Sequence, residues 1–365
     1  MPLMPVLPPA VQKSAQGLAR PLWHLEQMPV AAPAEGKVLR IVANMHSEGG
    51  GEMSTAILAE HMLYAGWKVV LHPTKHVSKL FRVPAGAEVG PSVRRMKGCA
   101  SDVLFFYLND YAAHLEVEKT ALRAILKNAG RKYACVNFTV GEAAHPWFND
   151  NLDGLIFLSG QLREVYRRQI SLYGTQMPPS VVLAPPVNLG PLLEAEPDYT
   201  KMGFARHSRA YKYPKDTLTL VMGIEKVTPA AAFRFMEAPL DVHQYLKGVG
   251  CRPCFSMPVP DFLAGASIFH YHLSPSFTEQ GPRVIVEAMA AGLPVLCDNM
   301  WGARDRVTKE TGWVCRSIED YFSAVKEIAY NRDLLRIKGE AARERAVEHF
   351  RVDRWVNILT TGNMT

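Results

Sequence analysis

Short apolar runs alternate with segments of helical periodicity along this chain, and the alternation forms two series separated by a break near residues 188–200. The first unit runs from the apolar segment Lys37–Ala43 through a glycine turn and a helical pattern to a second apolar segment, Trp67–His72. A strand–helix–strand unit of this kind requires parallel strands and a right-handed crossover. Two such series predict an α/β protein with two Rossmann-like domains, and 365 residues are enough for two cores.

The second series contains segments whose secondary structure we predict from their apolar content. We expect a strand at 218–224, a helix at 230–238, a helix at 285–292 and closing helices near 318–329 and 331–349. The predicted organisation is a proline-rich extension at 1–36, an acceptor-side domain at 37–190 and a donor domain at 191–345. Residues 346–365 are predicted to form a C-terminal helix that packs back on the first domain.

Composition narrows the class of protein. No run of about 18 uncharged apolar residues is present, and the N-terminus lacks the pattern of a signal peptide, so we expect a cytoplasmic protein without a transmembrane segment. Cys251 and Cys254 form a single CxxC, which is too few ligands for zinc.

Residues 1–190 hold 19 Lys and Arg against 14 Asp and Glu, and residues 191–365 hold 22 against 21, so the positive excess lies in the first half. This excess is compatible with an anionic partner for that half.

Two glutamates, Glu279 and Glu287, are separated by seven residues, with a Gly-Pro and the start of a helix between them. The pair is open to three interpretations: ordinary helix and cap carboxylates, the acid and base of a glycosidase, or a nucleotide-sugar site. The preceding strand delivers the loop to the carboxyl edge of a parallel sheet, where α/β proteins bind ligands. The helix start offers N–H groups and a positive dipole end for phosphate. This context favours the nucleotide-sugar site.

The segment EQGPRVIVEAMAAGLPVL (279–296) resembles the E-x7-E segment of retaining glycosyltransferases of the family 4 type, which have the GT-B fold. Three further segments resemble that family in the expected order: EGGGE at 48–52, VVLAPPVNLGPLL at 181–193 and GFARHSRAYKYPKD at 203–216. The resemblance implies two Rossmann-like domains that face each other across a cleft. It also implies transfer of a sugar from a nucleoside-diphosphate sugar, expected to be a UDP-sugar, to an acceptor hydroxyl with retention at the anomeric carbon.

The resemblance assigns roles to individual residues. Arg206 and Lys212 fall where the family neutralises the donor diphosphate, and Lys215 or Arg209 could replace Lys212. Glu287 corresponds to the ribose ligand and Glu279 to the sugar-hydroxyl ligand. The remaining donor contacts are expected from Gly50, Gly51, Gln280, Gly281, Pro282 and Arg283. Pro282 stands where the family often has glycine, and it removes one N–H donor from the phosphate contacts.

Members of this family often place a histidine near the donor sugar. His145 is the first candidate for that role, and His114 and His46 are alternatives. The Asp-x-Asp motif of the other common glycosyltransferase fold is not evident. We therefore expect no obligatory metal and no cofactor beyond the nucleotide sugar.

The acceptor is the least constrained part of the prediction. A glycan or lipid-linked saccharide is expected, and a hydroxymethylated base in DNA is the alternative. The DNA reading would use a basic patch for phosphate contacts, made of Arg94, Arg95, Lys97, Arg163, Arg167 and Arg168. A protein that binds sugar nucleotides without catalysis is a third possibility, against which the presence of Arg206, Glu279 and Glu287 argues.

Overall fold

The computed structural model describes residues 36–46, 49–96, 98–108, 119–137, 146–252, 257–274 and 278–364. The predicted extension at 1–36 lies outside these residues except for Gly36. The first sheet has seven parallel strands in the order β3-β2-β1-β4-β5-β6-β7. Their ranges are β1 Val38–Ala43, β2 Lys68–Pro73, β3 Glu88–Val89, β4 Ser101–Leu108, β5 Ala129–Val136, β6 Gly154–Phe157 and β7 Ser180–Val182.

Helices cover both faces of this sheet. They are α1 Gly50–Tyr64, α2 Lys119–Lys127, α3 Pro146–Asn149 and α4 Gly160–Leu172. Side chains alternate between the two faces of each strand, so Leu39 and Ile41 of β1 belong to one buried cluster and Val42 to the other. This double burial explains why the strands appear in the sequence as nearly continuous apolar runs.

The second sheet has six parallel strands in the order β10-β9-β8-β11-β12-β13. The strands are β8 Gly203–His207, β9 Ala232–Met236, β10 Cys251–Arg252, β11 Ile268–Tyr271, β12 Val295–Asp298 and β13 Gly312–Cys315. The associated helices are α5 Gly190–Leu193, α6 Thr217–Val227, α7 Leu240–Tyr245, α8 Val259–Leu263, α9 Arg283–Ala290, α10 Trp301–Arg306, α11 Ile318–Tyr330 and α12 Asp333–His349.

Two of the secondary-structure predictions were wrong, because the predicted strand is a helix and the predicted helix contains a strand. Residues 218–224, predicted as a strand, lie in α6, and residues 230–238, predicted as a helix, contain β9. The buried residues of α6 are spaced three, one and three apart from Thr217 to Ile224, which is a helical stripe. A short apolar run does not reveal this periodicity by itself, because a buried strand and a buried helix look alike over seven residues.

The C-terminal helix, α13 Asp353–Thr361, packs on the first sheet. The indole Nε1 of Trp355 donates to the carbonyl of Ala184 at 2.8 Å, and its ring lies edge-on to Phe105 with centroids 6.0 Å apart. Arg131 donates to the carbonyl of Thr360 at 2.8 Å. The C-terminal helix therefore packs against the first sheet and not the second. None of the helices in the described part of the chain combines the length and apolar character that a membrane crossing needs.

Candidate functional site

Arg206 lies at the end of β8 and is completely buried. Its Nε donates to the hydroxyl of Ser208 at 3.1 Å, its Nη2 lies 3.3 Å from the carbonyl of Lys212, and its guanidinium stacks 3.8 Å above the ring of Tyr213. Its Nη1 has no hydrogen-bond partner among the described residues. Burial lowers the pKa of Arg206, with tyrosines and Asp298 opposing that effect. A buried cation with an unused donor is costly unless an anion completes it.

Lys212 and Glu279 lie beside Arg206 and are joined to each other. The amine of Lys212 forms an ion pair with Oε2 of Glu279, and the hydroxyl of Tyr271 donates to the same oxygen at 3.2 Å. The guanidinium of Arg206 lies 5.9 Å from the ring centroid of Tyr271. Burial raises the pKa of Tyr271, and the Glu279 carboxylate adds to that effect. Two cations and one carboxylate are therefore collected at the carboxyl ends of neighbouring strands. Lys215, the alternative to Lys212, is exposed on the loop before α6.

The second glutamate of the pair lies inside α9. Glu287 is 3% exposed, and its Oε1 accepts from Nη2 of Arg283, four residues earlier, at 2.5 Å. Pro282 is the residue before the helix, so its missing N–H falls where helix N–H groups have no helical partner in any case. The charge of Arg283 opposes the rise in pKa that burial gives Tyr107 of β4, so this helix start interacts electrostatically with the first half.

A layer of buried polar groups lies behind Arg206. His270 is 1% exposed, and neither of its ring nitrogens has a partner among the described residues. Burial lowers the pKa of His270 strongly, and Arg206 adds to the effect. His272 is held by Asp298, with 2.8 Å between Nδ1 and Oδ1, and the hydroxyl of Tyr321 donates to the same carboxylate oxygen at 2.9 Å. The lowered pKa of His270 keeps its imidazole neutral beside the Arg206 cation.

The loop that carries Glu279 is fixed by the first half of the chain. The hydroxyl of Ser159 donates to Oε1 of Gln280 at 2.6 Å, and both residues are buried. A Cβ added to Gly281 would lie 2.5 Å from Cδ1 of Leu158, so this glycine permits contact between the two halves. We predicted from sequence that Gly281 brings the backbone close to a ligand. The close approach that the structure contains is to Leu158.

Arg306 and Asp305, at the end of α10, form the same junction from the other side, and sequence reasoning missed both. Nη2 of Arg306 donates to the carbonyl of Leu158 at 2.8 Å, and the amide of Gly160 donates to Oδ2 of Asp305 at 2.6 Å. Burial lowers the pKa of Arg306 to about 10, with the carboxylates of Asp305 and Glu279 opposing that effect. An arginine and an aspartate side by side in a short helix after an apolar strand were the available signal.

The glycine-rich turn begins α1, with Gly49 as the residue before the helix and Gly50 and Gly51 in its first turn. A Cβ added to Gly50 would meet nothing within 4 Å, so the chain passes this point with open space beside it. The hydroxyl of Ser54 donates to the carbonyl of Pro186 at 3.0 Å and anchors the helix start. The charge of Glu52 raises the pKa of Tyr107, and a hydrogen bond with Ser54 and the charge of Arg283 lower it. The start of α1 therefore lies on the side of the first sheet that meets α9.

The candidate histidines are only partly described. His145 and His114 lie outside the described residues. His46 is exposed just after β1, with its ring centroid 6.4 Å from that of His76. Within the described ranges, no three or more His, Cys, Asp and Glu side chains come together as a set of metal ligands.

The basic patch suggested from sequence is divided between two elements. Arg94 and Arg95 lie in a 3-10 helix, Val93–Arg95, while Lys97 lies outside the described residues. The other three arginines lie on α4, and one of them, Arg167, pairs with Glu164 at 3.0 Å. The two elements pack on the same face of the first sheet. Of the three on α4, Arg163 is half-buried, and Arg167 and Arg168 are exposed.

Comparison with known proteins gives a family match in the second half of the chain. Residues 254–345 match the family model described as "Glycosyl transferases group 1". No curated protein sequence matches the chain. The matched segment contains Glu279 and Glu287 together with α9.

Several solved structures are similar to this chain at low sequence identity. A glycosyltransferase from Rickettsia africae has a TM-score of 0.63 at 14% identity over 89% of this chain and 98% of that one. Anabaena Alr3699/HepE, solved with UDP and glucose, has a TM-score of 0.62 at 13% identity, and the match covers 87% of this chain and 96% of that one. Sucrose-phosphate synthase from Thermosynechococcus elongatus has a TM-score of 0.60 at 16% identity, and the match covers 87% of this chain and 96% of that one. The predicted GT-B fold is confirmed, and the fold and family match together support a glycosyltransferase.

Proposed function

We propose that this protein is a retaining glycosyltransferase that transfers a sugar from a UDP-sugar to a hydroxyl of a saccharide acceptor. The observation that carries the proposal is Arg206, a completely buried cation with an unused Nη1 beside the Lys212–Glu279 pair. Natural proteins satisfy buried charges unless a ligand does so. A diphosphate supplies the missing negative charge at this position. The UDP bound to Alr3699/HepE supports UDP as the nucleotide of the donor.

The proposed donor site divides the work among a few groups. Arg206 and Lys212 hold the diphosphate, and the N-terminus of α9 adds N–H donors and the positive end of its dipole. Glu287 accepts from the ribose hydroxyls, and Glu279 accepts from a hydroxyl of the transferred sugar. Carboxylates suit both positions because each hydroxyl of ribose or of the sugar is a donor.

The proposed reaction needs no nucleophile from the protein. The bond between the anomeric carbon and the diphosphate oxygen breaks while the acceptor oxygen bonds to that carbon on the same face. The acceptor proton passes to the departing phosphate oxygen. Negative charge grows on the diphosphate as the bond breaks, and cations already in place stabilise that charge without reorganisation. This is the work that other enzymes give to a divalent ion, so we propose a metal-independent enzyme.

The acceptor proposed here is a glycan or a lipid-linked saccharide. The alternative of DNA rests on six basic residues, of which Arg163 is half-buried and Arg167 is paired with Glu164. A duplex substrate would also require a flipped base. These observations favour the saccharide.

Calorimetric titration with UDP tests the donor site. Arg206→Met should weaken UDP binding by about 10- to 150-fold, which is the loss of one charge-assisted contact. Glu287→Gln should weaken it less, because an amide still accepts a hydrogen bond. Arg336→Met is the matched control, since Arg336 is half-exposed on α12 and pairs with Glu340 on its own helix. Unchanged affinity in Arg206→Met would contradict the assignment.

Stability separates binding from structural support. A buried cation replaced by an apolar side chain of similar volume is often neutral or stabilising. Arg206→Met should therefore keep or raise the melting temperature without ligand while losing UDP affinity.

Product analysis by NMR then decides the stereochemistry: an α-linked donor must give an α-linked product. UDP binding without transfer to any saccharide would instead favour the non-catalytic reading.

A further inference from the structure

The loop after β2, residues 74–82, is a basic surface at the carboxyl edge of the first sheet. Lys75, His76, Lys79 and Arg82 are exposed along this basic loop, and no Asp or Glu occurs anywhere from residue 61 to residue 87. No carboxylate of the described residues lies within ion-pair distance of the amines of Lys75 and Lys79. Arg82 interacts with the Glu60 carboxylate, so the positive charge that the loop presents without a nearby carboxylate comes from Lys75 and Lys79.

The basic loop is anchored, so its charges have defined positions. Phe81 is 7% exposed and Val77 packs beside it, and both belong to the core that α1 covers. The amide of Phe81 donates to the carbonyl of Ser78 at 3.1 Å, which closes a turn that contains Lys79. Apolar positions hold the loop to the sheet, and the basic side chains between them point into solvent.

Backbone contacts connect the basic loop to the candidate site. The amide of Ser78 donates to the carbonyl of Met45 at 2.8 Å, and the hydroxyl of Thr74 donates to Oδ1 of Asn44 at 2.7 Å. Asn44 and Met45 follow β1 and lead to the glycine-rich start of α1. His46, next along the chain, lies near His76 of the basic loop. The basic loop thus borders the start of α1 on the sheet edge that meets α9.

We infer that the acceptor is an anionic saccharide, one that carries carboxylates or phosphates, and that the basic loop binds those groups. This inference rests on the proposed function. A donor held by the second half presents its anomeric carbon towards the first half, so an acceptor must lie along the carboxyl edge of the first sheet. Lysines on that edge attract an anionic chain and orient it through several weak contacts. A neutral acceptor would leave these uncompensated charges without a role.

The probe is an oligogalacturonide tetrasaccharide, compared with its carboxyl-reduced form and with a phosphorylated saccharide of the same length. Binding is measured by calorimetry in saturating UDP at low and moderate salt. Lys75→Glu/Lys79→Glu should lower the affinity for a charged probe at least about tenfold, since two attractive pairs become repulsive. The matched control is Lys309→Glu/Lys326→Glu, two exposed lysines of the second half. UDP affinity, measured separately, should be unchanged in both double variants.

Each outcome decides the inference. Preference of the wild type for carboxylate or for phosphate supports the inference and identifies the anion. Equal binding of the charged and reduced probes, binding of none of them, or equal losses in the two double variants would refute it. Lysine-dependent binding only to phosphatidylglycerol vesicles or only to DNA would also overturn it, because the loop would then serve a membrane or a nucleic acid. Failure of the wild type to bind UDP would instead count against the proposed donor site.

Discussion

Ser159 contributes two interactions, and a second serine in the chain contributes only one of them. Ser159 precedes α4, and its hydroxyl accepts from the amide of Leu162 at 3.1 Å while donating to Gln280 of the other half at 2.6 Å. Ser317 precedes α11 with nearly the same backbone angles, and its hydroxyl accepts from the amide of Asp320 at 3.3 Å. Ser317→Ala therefore measures the stability lost with a helix cap alone. Ser159→Ala measures the stability lost with a helix cap and the contact between the halves together.

The expected costs differ severalfold. Loss of a serine cap costs about 1 kcal/mol of unfolding free energy, which is the whole expectation for Ser317→Ala. Ser159→Ala also leaves Oε1 of Gln280 without its donor in a site that is 3% exposed, and an unsatisfied buried acceptor costs about 1–3 kcal/mol. The total for Ser159→Ala is about 2–4 kcal/mol. Urea denaturation followed by circular dichroism measures both variants.

A double variant and a binding measurement complete the test. Ser159→Ala/Gln280→Leu removes both partners, so it should be more stable than Ser159→Ala alone, because no polar group remains unsatisfied. Ser159→Ala should also weaken UDP binding, since Gln280 neighbours Glu279, whereas Ser317→Ala should not. Equal destabilisation by the two single alanine variants would refute the claim that the Ser159–Gln280 bond holds the loop.

Three further outcomes are expected. Gly281→Ala should destabilise the protein by about 1–3 kcal/mol through overpacking against Leu158; a melting temperature equal to the wild type would contradict this. Burial lowers the pKa of His72 to about 4, while the unfolded imidazole protonates near 6.5. The unfolded state then binds more protons between these values, so stability falls as pH falls through this window, by about 2 kcal/mol from pH 7.5 to pH 5. Urea denaturation at both pH values should show this loss in the wild type and not in His72→Gln, and equal losses would exclude His72. Transfer should survive EDTA, and loss of turnover that manganese restores would show that a metal holds the diphosphate.

The sequence was most informative where several local signals agreed. Parallel strands buried on both faces produce apolar runs in the sequence. The runs that precede Gly50 and Gly281 were each predicted to end in a loop at the carboxyl edge of a sheet, and the structure has both loops there. The spacing of Glu279 and Glu287 correctly located one carboxylate before α9 and one inside it. Periodicity failed at 218–224 and 230–238, because mostly apolar segments of seven to nine residues are too short to separate a strand from a helix.

Contacts between distant segments were beyond sequence reasoning. Ser159 and Gln280 are 121 residues apart, and Leu158 and Arg306 are 148 apart. Neither pair has a spacing that a local pattern can detect, because each depends on how two separately folded sheets meet. Gly281 illustrates the consequence: its residue type indicated a close approach, but only the fold shows which group approaches.

The way the two halves meet bears on how the proposed enzyme would operate. Glu279 and Gln280 belong to the second half by sequence, yet Ser159 and Leu158 of the first half determine where their loop lies. Arg306 strengthens this junction with a buried charge that cannot move without losing the Leu158 carbonyl. A rotation of one half against the other must therefore pivot near this junction or displace the loop itself. In the first case the donor groups stay assembled during opening. In the second case donor binding and closure are coupled through the contacts of the junction, and the Ser159–Gln280 hydrogen bond is one of them. The loss of UDP affinity expected for Ser159→Ala corresponds to the second case, since only coupling makes UDP affinity depend on the Ser159–Gln280 bond.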